Sequence, residues 1–167
     1  MSKKMLVMLV LILSGCATSK PELITKVDPY TNSRQFILTG INPQNCEGDN
    51  NFYGSVALTI LGGGEYEALS LDYMGASWKF INPKLGLDML VDGSPMKLQG
   101  IPGSTTDVSS YGVKESVYYT VDREIMVKLS QARSIRFRAV GSKGFIEKCL
   151  NSNEIASFST VIPYLKN

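Results

Sequence analysis

The sequence predicts a mainly β fold, an antiparallel sheet or sandwich of about eight strands with one or two short helices near the C-terminus. Three observations lead to this prediction. Apolar and polar residues alternate with a period of two along most of the chain after residue 34, in segments bounded by glycines. The dipeptide Asp92-Gly93 suits the positive φ angles of a tight hairpin turn. A helical period appears only late, in segments 122–132 and 151–162.

The predicted strands follow one another along the chain. The alternating segments are RQFILTG (34–40), GSVALTILG (54–62), EYEALSL (65–71), SWKFI (77–81), LGLDMLV (85–91), SPMKL (94–98), VKESVYYTV (113–121), SIRFRAV (134–140) and FIEKCL (145–150). Pro95 lacks an N–H group, which places its strand at a sheet edge or in a bulge. The stretch 99–112 predicts a loop, and residues 141–144 predict a second hairpin turn.

The two helical segments carry their own start signals. Asp122 precedes the first, where its carboxylate suits the N-cap position. Asn151 and Glu154 have the spacing of a capping box at the start of the second. Pro163 is expected to end or kink that helix, because proline cannot donate an interior helical hydrogen bond.

The N-terminus reads as an export signal. Lys3 and Lys4 precede an apolar run of nine residues, 5–13, which ends in small residues. A basic start, a short apolar run and a small-residue zone are typical of a secretory signal. A membrane-spanning helix needs about 20 apolar residues, so this run is too short to be one.

The end of that signal, Leu13-Ser14-Gly15-Cys16, resembles a bacterial lipobox. The resemblance implies that the Cys16 thiol is lipidated, that the chain is cut after Gly15, and that the protein is a bacterial lipoprotein anchored in the cell envelope. Two or more acyl chains anchor a protein stably. By the same resemblance, Ala17 after the cysteine favours the outer membrane, on its periplasmic face or its surface, if the cell has one.

This interpretation divides the chain into three parts. Residues 1–15 are the signal peptide, residues 16–33 the lipidated N-terminus and a polar tether, and residues 34–167 a single β-rich globular domain. The alternative for the tether is that part of it packs as an edge strand. The mature domain resembles no family specifically.

The charge balance argues against nucleic acid as a partner. Lys3 and Lys4 leave with the signal, so the 17 basic residues fall to 15 and equal the 15 acidic ones. A basic footprint for nucleic acid is therefore missing from the mature chain. The membrane, through the lipid on Cys16, is the partner that the resemblance implies.

The absence of histidine restricts the chemistry. Ser-His-Asp and Cys-His catalysis both need an imidazole to move a proton near neutral pH. Zinc sites with histidine ligands are excluded as well, and the three cysteines lack the paired spacing of a thiolate site. We expect no catalytic residue, no cofactor and no metal site.

The remaining candidates for chemistry have simpler explanations. One Ser-Lys pair lies in a predicted turn, where solvent exposure favours a small residue and a charge. The paired carboxylates suit a solvated strand face, and the loop of alternating oxygen ligands fails the EF-hand spacing. These candidates are Ser142 with Lys143, Ser77 with Lys79, Glu65 with Glu67, and the set Glu47, Asp49 and Asn51.

One local basic cluster contains a candidate contact for an anionic partner, and its members are Arg133, Arg136, Arg138, Lys143 and Lys148. Arg136 and Arg138 project from the same side of one predicted strand, and Lys143 follows in the next turn. Such residues could meet lipid phosphates, an anionic glycan or an acidic protein. The alternative is the solvated face of a half-buried strand.

The two other cysteines, Cys46 and Cys149, are predicted to form a disulfide. If lipid consumes Cys16, an even number of thiols remains in a chain exported beyond the reducing cytosol. The bond would tie a loop near the start of the sheet to a strand near its end. The alternative is two separate thiols.

These observations favour a lipid-anchored envelope protein that acts as a binding or structural accessory module, with an envelope protein or glycan as its unknown partner. One alternative is a hydrolase of an envelope polymer that works without histidine. Another is a small-ligand carrier, which would need a cavity within the sheet.

Overall fold

Ten antiparallel strands form two sheets in the computed structural model, which describes residues 20–49, 54–63, 66–110 and 112–166. The larger sheet contains, in spatial order, β1 (Glu22–Val27), β2 (Arg34–Ile41), β3 (Ser55–Gly62), β4 (Ala68–Gly75), β8 (Gly112–Thr120) and β7 (Gly100–Ser109). The smaller sheet contains β10 (Gly144–Leu150), β9 (Ile135–Gly141), β5 (Leu87–Val91) and β6 (Ser94–Leu98). The predicted mainly β, antiparallel fold is confirmed.

The two sheets pack against each other over one core. On β9, Ile135, Phe137 and Ala139 are buried while Arg136 and Arg138 alternate with them on the outer side. The same cluster contains buried side chains from the larger sheet, which makes the arrangement that of a β-sandwich. Period-two patterning therefore decides which face of each strand meets the core.

The hairpin of β5 and β6 has the predicted turn. Asp92 and Gly93 have φ angles of 50° and 79°, both in the left-handed region that this turn requires. Pro95 lies on β6, which is an edge strand, as predicted. The β9–β10 hairpin turns at Ser142 and Lys143.

Three segments differ from the prediction. Residues 100–109, expected in a loop, form β7, because ladder pairing with β8 holds a strand whose own side chains stay largely exposed. Residues 22–27, expected in the tether, form the edge strand β1, which is the alternative for that segment. SWKFI (77–81) is not a strand, and Phe80 has a φ angle of 51°.

The described part of the chain contains two short α-helices, both late in the sequence, α1 (Arg123–Ser130) and α2 (Ser152–Ser157). Asp122 caps α1 by accepting from the Ile125 N–H at 2.8 Å. The capping box of Asn151 and Glu154 is present at α2. The predicted continuation to residue 162 is wrong, because 3-10 turns follow at Phe158–Thr160 and Ile162–Tyr164.

Among the described residues, no helix has the length and apolar content to cross a membrane. The signal segment 1–15 and Cys16 lie outside the described residues.

Candidate binding face on the four-stranded sheet

The outer face of the four-stranded sheet carries a row of alternating charges. Arg138 on β9 pairs with Asp88 on β5 and with Glu147 on β10, and Asp88 pairs with Lys97 on β6. The Lys97 ammonium lies 2.8 Å from the Asp88 carboxylate. Positive and negative side chains therefore alternate across all four strands.

Glu147 holds the two predicted arginines side by side. Its Oε1 accepts from Arg136 Nε at 2.5 Å, and its Oε2 accepts from Arg138 Nε at 2.6 Å. Both Nη2 groups also form ion pairs with the same carboxylate. The Glu147 side chain is 10% exposed, whereas the guanidinium side chains are 41% and 50% exposed. One shielded carboxylate thus fixes two accessible cations.

Each arginine has a further partner on the same face. Arg136 Nη2 lies 3.0 Å from Asp49 Oδ2. The Arg138 guanidinium lies 4.7 Å from the centre of the exposed Phe145 ring, a cation–π contact. These contacts restrict both side chains, so less conformational entropy is lost when a ligand binds them.

A groove of about 600 Å³ runs along this face. Leu90 and Pro95 contribute apolar surface to it, and Arg136, Arg138 and Glu147 line it. Leu90 is 43% exposed although it is a large apolar residue. The volume falls within the range of about 300–1,000 Å³ typical of ligand pockets.

Leu90 and Glu147 were not predicted as site residues, although the sequence contains a signal for each. Leu87, Met89 and Val91 face the core, so Leu90 between them must face outward. The two-residue turn of the β9–β10 hairpin sets the register, which places Glu147 opposite Arg138.

Lys143, the third predicted cation, lies apart from the arginines. Its backbone N–H donates to the Lys79 carbonyl at 3.1 Å, in the turn that ends the hairpin. It is exposed and does not line the groove. The structure therefore brings together two of the three predicted contact residues.

Cys46 and Cys149 form the predicted disulfide beside this face. Their α-carbons are 5.0 Å apart, and Cys149 pairs in register with Arg136. The Cys46 sulfur and the carboxylates of Asp49 and Glu147 also lie within 4.8 Å of one another. A disulfide sulfur is not a thiolate ligand, and both carboxylates already bind Arg136. We therefore interpret this cluster as part of the arginine network.

The other candidates fall elsewhere. Glu65 and Asn51 lie outside the described residues. Glu67 accepts from the Lys166 N–H at 2.7 Å, near the C-terminus. The Ser77 carbonyl accepts from the Tyr73 hydroxyl at 2.9 Å. The structure does not gather these residues into one cluster with the arginines.

A second cleft, of about 530 Å³, opens beside the inner face of β7. Glu115 lines it and is 2% exposed. Its carboxylate accepts three backbone N–H groups, those of Lys79, Phe80 and Ile81, at 2.5, 3.1 and 2.8 Å. Both oxygens thus join the six-stranded sheet to segment 79–81, so the Glu115 carboxylate has a structural role in this cleft.

Comparison with known proteins adds no assignment to this geometry. No protein-family model, curated protein or solved structure matches the chain.

Proposed function

We propose that this protein is a lipid-anchored lipoprotein of the cell envelope and that it binds a partner through the outer face of its four-stranded sheet. The lipid is attached at Cys16, at the end of the lipobox-like signal. The outer membrane is the proposed location in a cell that has one. The protein acts as a binding or accessory module and not as an enzyme.

One observation carries the choice of face. Glu147 fixes Arg136 and Arg138 at the wall of a groove whose apolar surface includes Leu90. Arginine beside exposed apolar surface is typical of the residues that dominate binding energy at protein interfaces. Because Glu147 already restricts both guanidinium groups, less side-chain entropy is lost when a partner binds them.

The same contacts argue against the alternative of a hydrolase. Asp88 and Glu147 line the groove, and each carboxylate forms an ion pair with a basic side chain. A glycosidase instead needs two carboxyl groups that are available to its substrate. The chain also has no histidine to serve as the proton donor.

The anchor is tested by mass spectrometry and by partitioning into detergent. The wild-type protein should carry acyl chains on Cys16 and follow the membrane fraction, and Cys16→Ser should do neither. A wild-type protein without lipid would contradict the anchor.

The binding face is tested by photocrosslinking in intact cells. A benzophenone amino acid replaces Leu90 in one variant and Met74 in the other, because these side chains are 43% and 46% exposed on the outer faces of different sheets. We expect a discrete adduct from position 90 that is lost when Arg136→Gln and Arg138→Gln are added. Equal adducts from both positions, or an adduct indifferent to the arginines, would contradict the proposal.

A further inference from the structure

We infer that the groove binds the C-terminal carboxylate of a partner peptide whose last residue is apolar. The inference rests on the proposed function and specifies the chemistry of the partner. It follows from the hydrogen-bonding groups of the two arginines, the charge balance of the face, and the position of Leu90.

Each guanidinium retains N–H donors that can bind a ligand. Arg136 and Arg138 use Nε and Nη2 in their contacts with Glu147 and Asp49. In the part of the chain that the structure describes, Nη1 of neither side chain takes part in these contacts. A guanidinium has five N–H donors in a rigid fork, and carboxylates accept such donors in pairs.

The charge of the face favours one carboxylate over a polyanion. The three cations Arg136, Arg138 and Lys97 are balanced by Asp49, Asp88 and Glu147. A balanced face has little long-range attraction for a phosphate-rich surface or an anionic glycan, because that attraction depends on net charge. Local N–H donors suffice for a single carboxylate.

The position of Leu90 favours the C-terminal residue of a peptide over an internal segment. Leu90 pairs in register with Arg136, and neighbouring strands lie about 4.8 Å apart. In a C-terminal residue the carboxylate and the side chain leave the same α-carbon, so both fit that separation. In an extended internal segment adjacent side chains point to opposite faces. An acidic residue and its apolar neighbour therefore cannot contact Arg136 and Leu90 together.

The surroundings of the arginines also favour a chain that ends there. Beyond Arg136 lie Asp49, Glu147 and the disulfide of Cys149. A chain continuing in that direction would meet two carboxylates. A chain ending at the arginines would place its own negative charge next to the cations and extend its apolar side chain over Leu90.

The test uses full-length protein purified in detergent and two fluorescent peptides, fluorescein-Gly-Ala-Ala-Leu with a free carboxylate and the same peptide as its amide. Fluorescence anisotropy measures each affinity. We expect the acid to bind about tenfold or more tightly than the amide, because a hydrogen bond to a charged group contributes about that factor. Equal affinities would overturn the inference.

Matched variants locate the site. Arg136→Gln and Arg138→Gln should each lower the affinity for the acid peptide. Arg133→Gln removes an exposed arginine outside the groove and should leave that affinity unchanged. Leu90→Ser leaves the ion pairs in place and should lower the affinity for both peptides. An unchanged affinity in Leu90→Ser, or an equal loss in Arg133→Gln, would overturn the inference.

Competition separates this inference from the proposed function. An excess of the acid peptide should abolish the crosslink from position 90 in solubilised envelopes, and inorganic phosphate or phosphatidylglycerol vesicles should not. If phosphate or vesicles compete and the peptide does not, the carboxylate inference fails while the binding face stands. If position 90 gives no arginine-dependent crosslink, the proposed function itself fails.

Discussion

The carboxylate of Glu115 accepts the backbone N–H of Ile81 at 2.8 Å, which joins β8 of the six-stranded sheet to the segment that leads into the other sheet. The same segment meets β9 on its other side, where the Asn82 N–H donates to the Val140 carbonyl at 3.0 Å. Gly141 is required there, since a Cβ atom would lie 2.1 Å from the Lys79 carbonyl oxygen. Segment 79–82 is therefore fixed from both sheets.

Replacing Glu115 with glutamine should destabilise the fold by about 2–4 kcal/mol, because an amide nitrogen cannot accept a backbone N–H and leaves a buried donor unpaired. Urea unfolding measures the loss. Glu22→Gln, an exposed residue of β1, is the matched control and should change stability by less than about 0.5 kcal/mol. Similar losses in the two variants would contradict the role of Glu115.

Removing the disulfide should cost about 4–5 kcal/mol in the chain-entropy model, because the bond closes a loop with a sequence separation of 103 residues. The double variant Cys46→Ala, Cys149→Ala is compared with wild type by urea unfolding. Adding reductant should lower the free energy of unfolding of the wild type to that of the variant, and should leave the value for the variant unchanged. Free thiols in the oxidised wild type, detected by mass spectrometry, would contradict the bond.

Asp92 should make stability depend on acid pH. The backbone N–H groups of Ser134 and Arg133 donate to its Oδ1 and hold the pKa of Asp92 below its usual value of 3.8. A lowered folded pKa stabilises the fold above the unfolded pKa, and this stabilisation is lost as pH falls through the folded value. Asp92→Asn suits the test because asparagine tolerates the φ angle of 50°.

Wild type should exceed Asp92→Asn in unfolding temperature at about pH 6, and the difference should narrow as pH falls below about 3.8. Thermal unfolding at several pH values measures the difference. A gap of constant size across this range would show that the charge of Asp92 is irrelevant.

Lys148 should make the free energy of unfolding depend on pH in the alkaline range. It lies on β10 at 4% exposure, and its ammonium donates to Asn45 Oδ1 at 2.6 Å. Burial lowers the pKa of Lys148 from its usual value of 10.5. The unfolded chain then holds the proton more tightly, so the free energy of unfolding should rise with pH until about 10.5.

Lys148→Met lacks this titration and is the natural comparison. The stability of wild type relative to Lys148→Met should therefore increase in the interval below about pH 10.5 as the pH rises, as urea unfolding would show. A relative stability that stays flat or falls over this interval would contradict the burial of a charged lysine.

Local signals predicted the turns and caps because neighbouring residues decide them. Asp92-Gly93 and the capping box of Asn151 and Glu154 are both present as expected. β7 was missed because its strand conformation depends on ladder bonds to β8 and not on its own burial. Segment 77–81 was misread as a strand because its conformation follows from Glu115, more than 30 residues away in sequence.

The sequence predicts only part of the candidate site, for the same reason. Alternation along β9 placed Arg136 and Arg138 on one face, as the structure shows. The contact of Arg136 with Asp49 depends on a loop that the Cys46–Cys149 disulfide holds near β10, and the spacing of these residues in the sequence does not predict that contact. The groove itself results from the arrangement of four strands, which no single segment specifies.

The open edge of β6 limits how these molecules can associate. Val91 and Ser94 flank the two-residue turn and form a hydrogen-bonded pair, so the backbone of Pro95 and of Lys97 faces the free edge. Pro95 offers no N–H there and Lys97 carries a charge, a combination that hinders the addition of another strand. Crowded copies can therefore keep their arginine faces accessible without growing into continuous sheets through this edge.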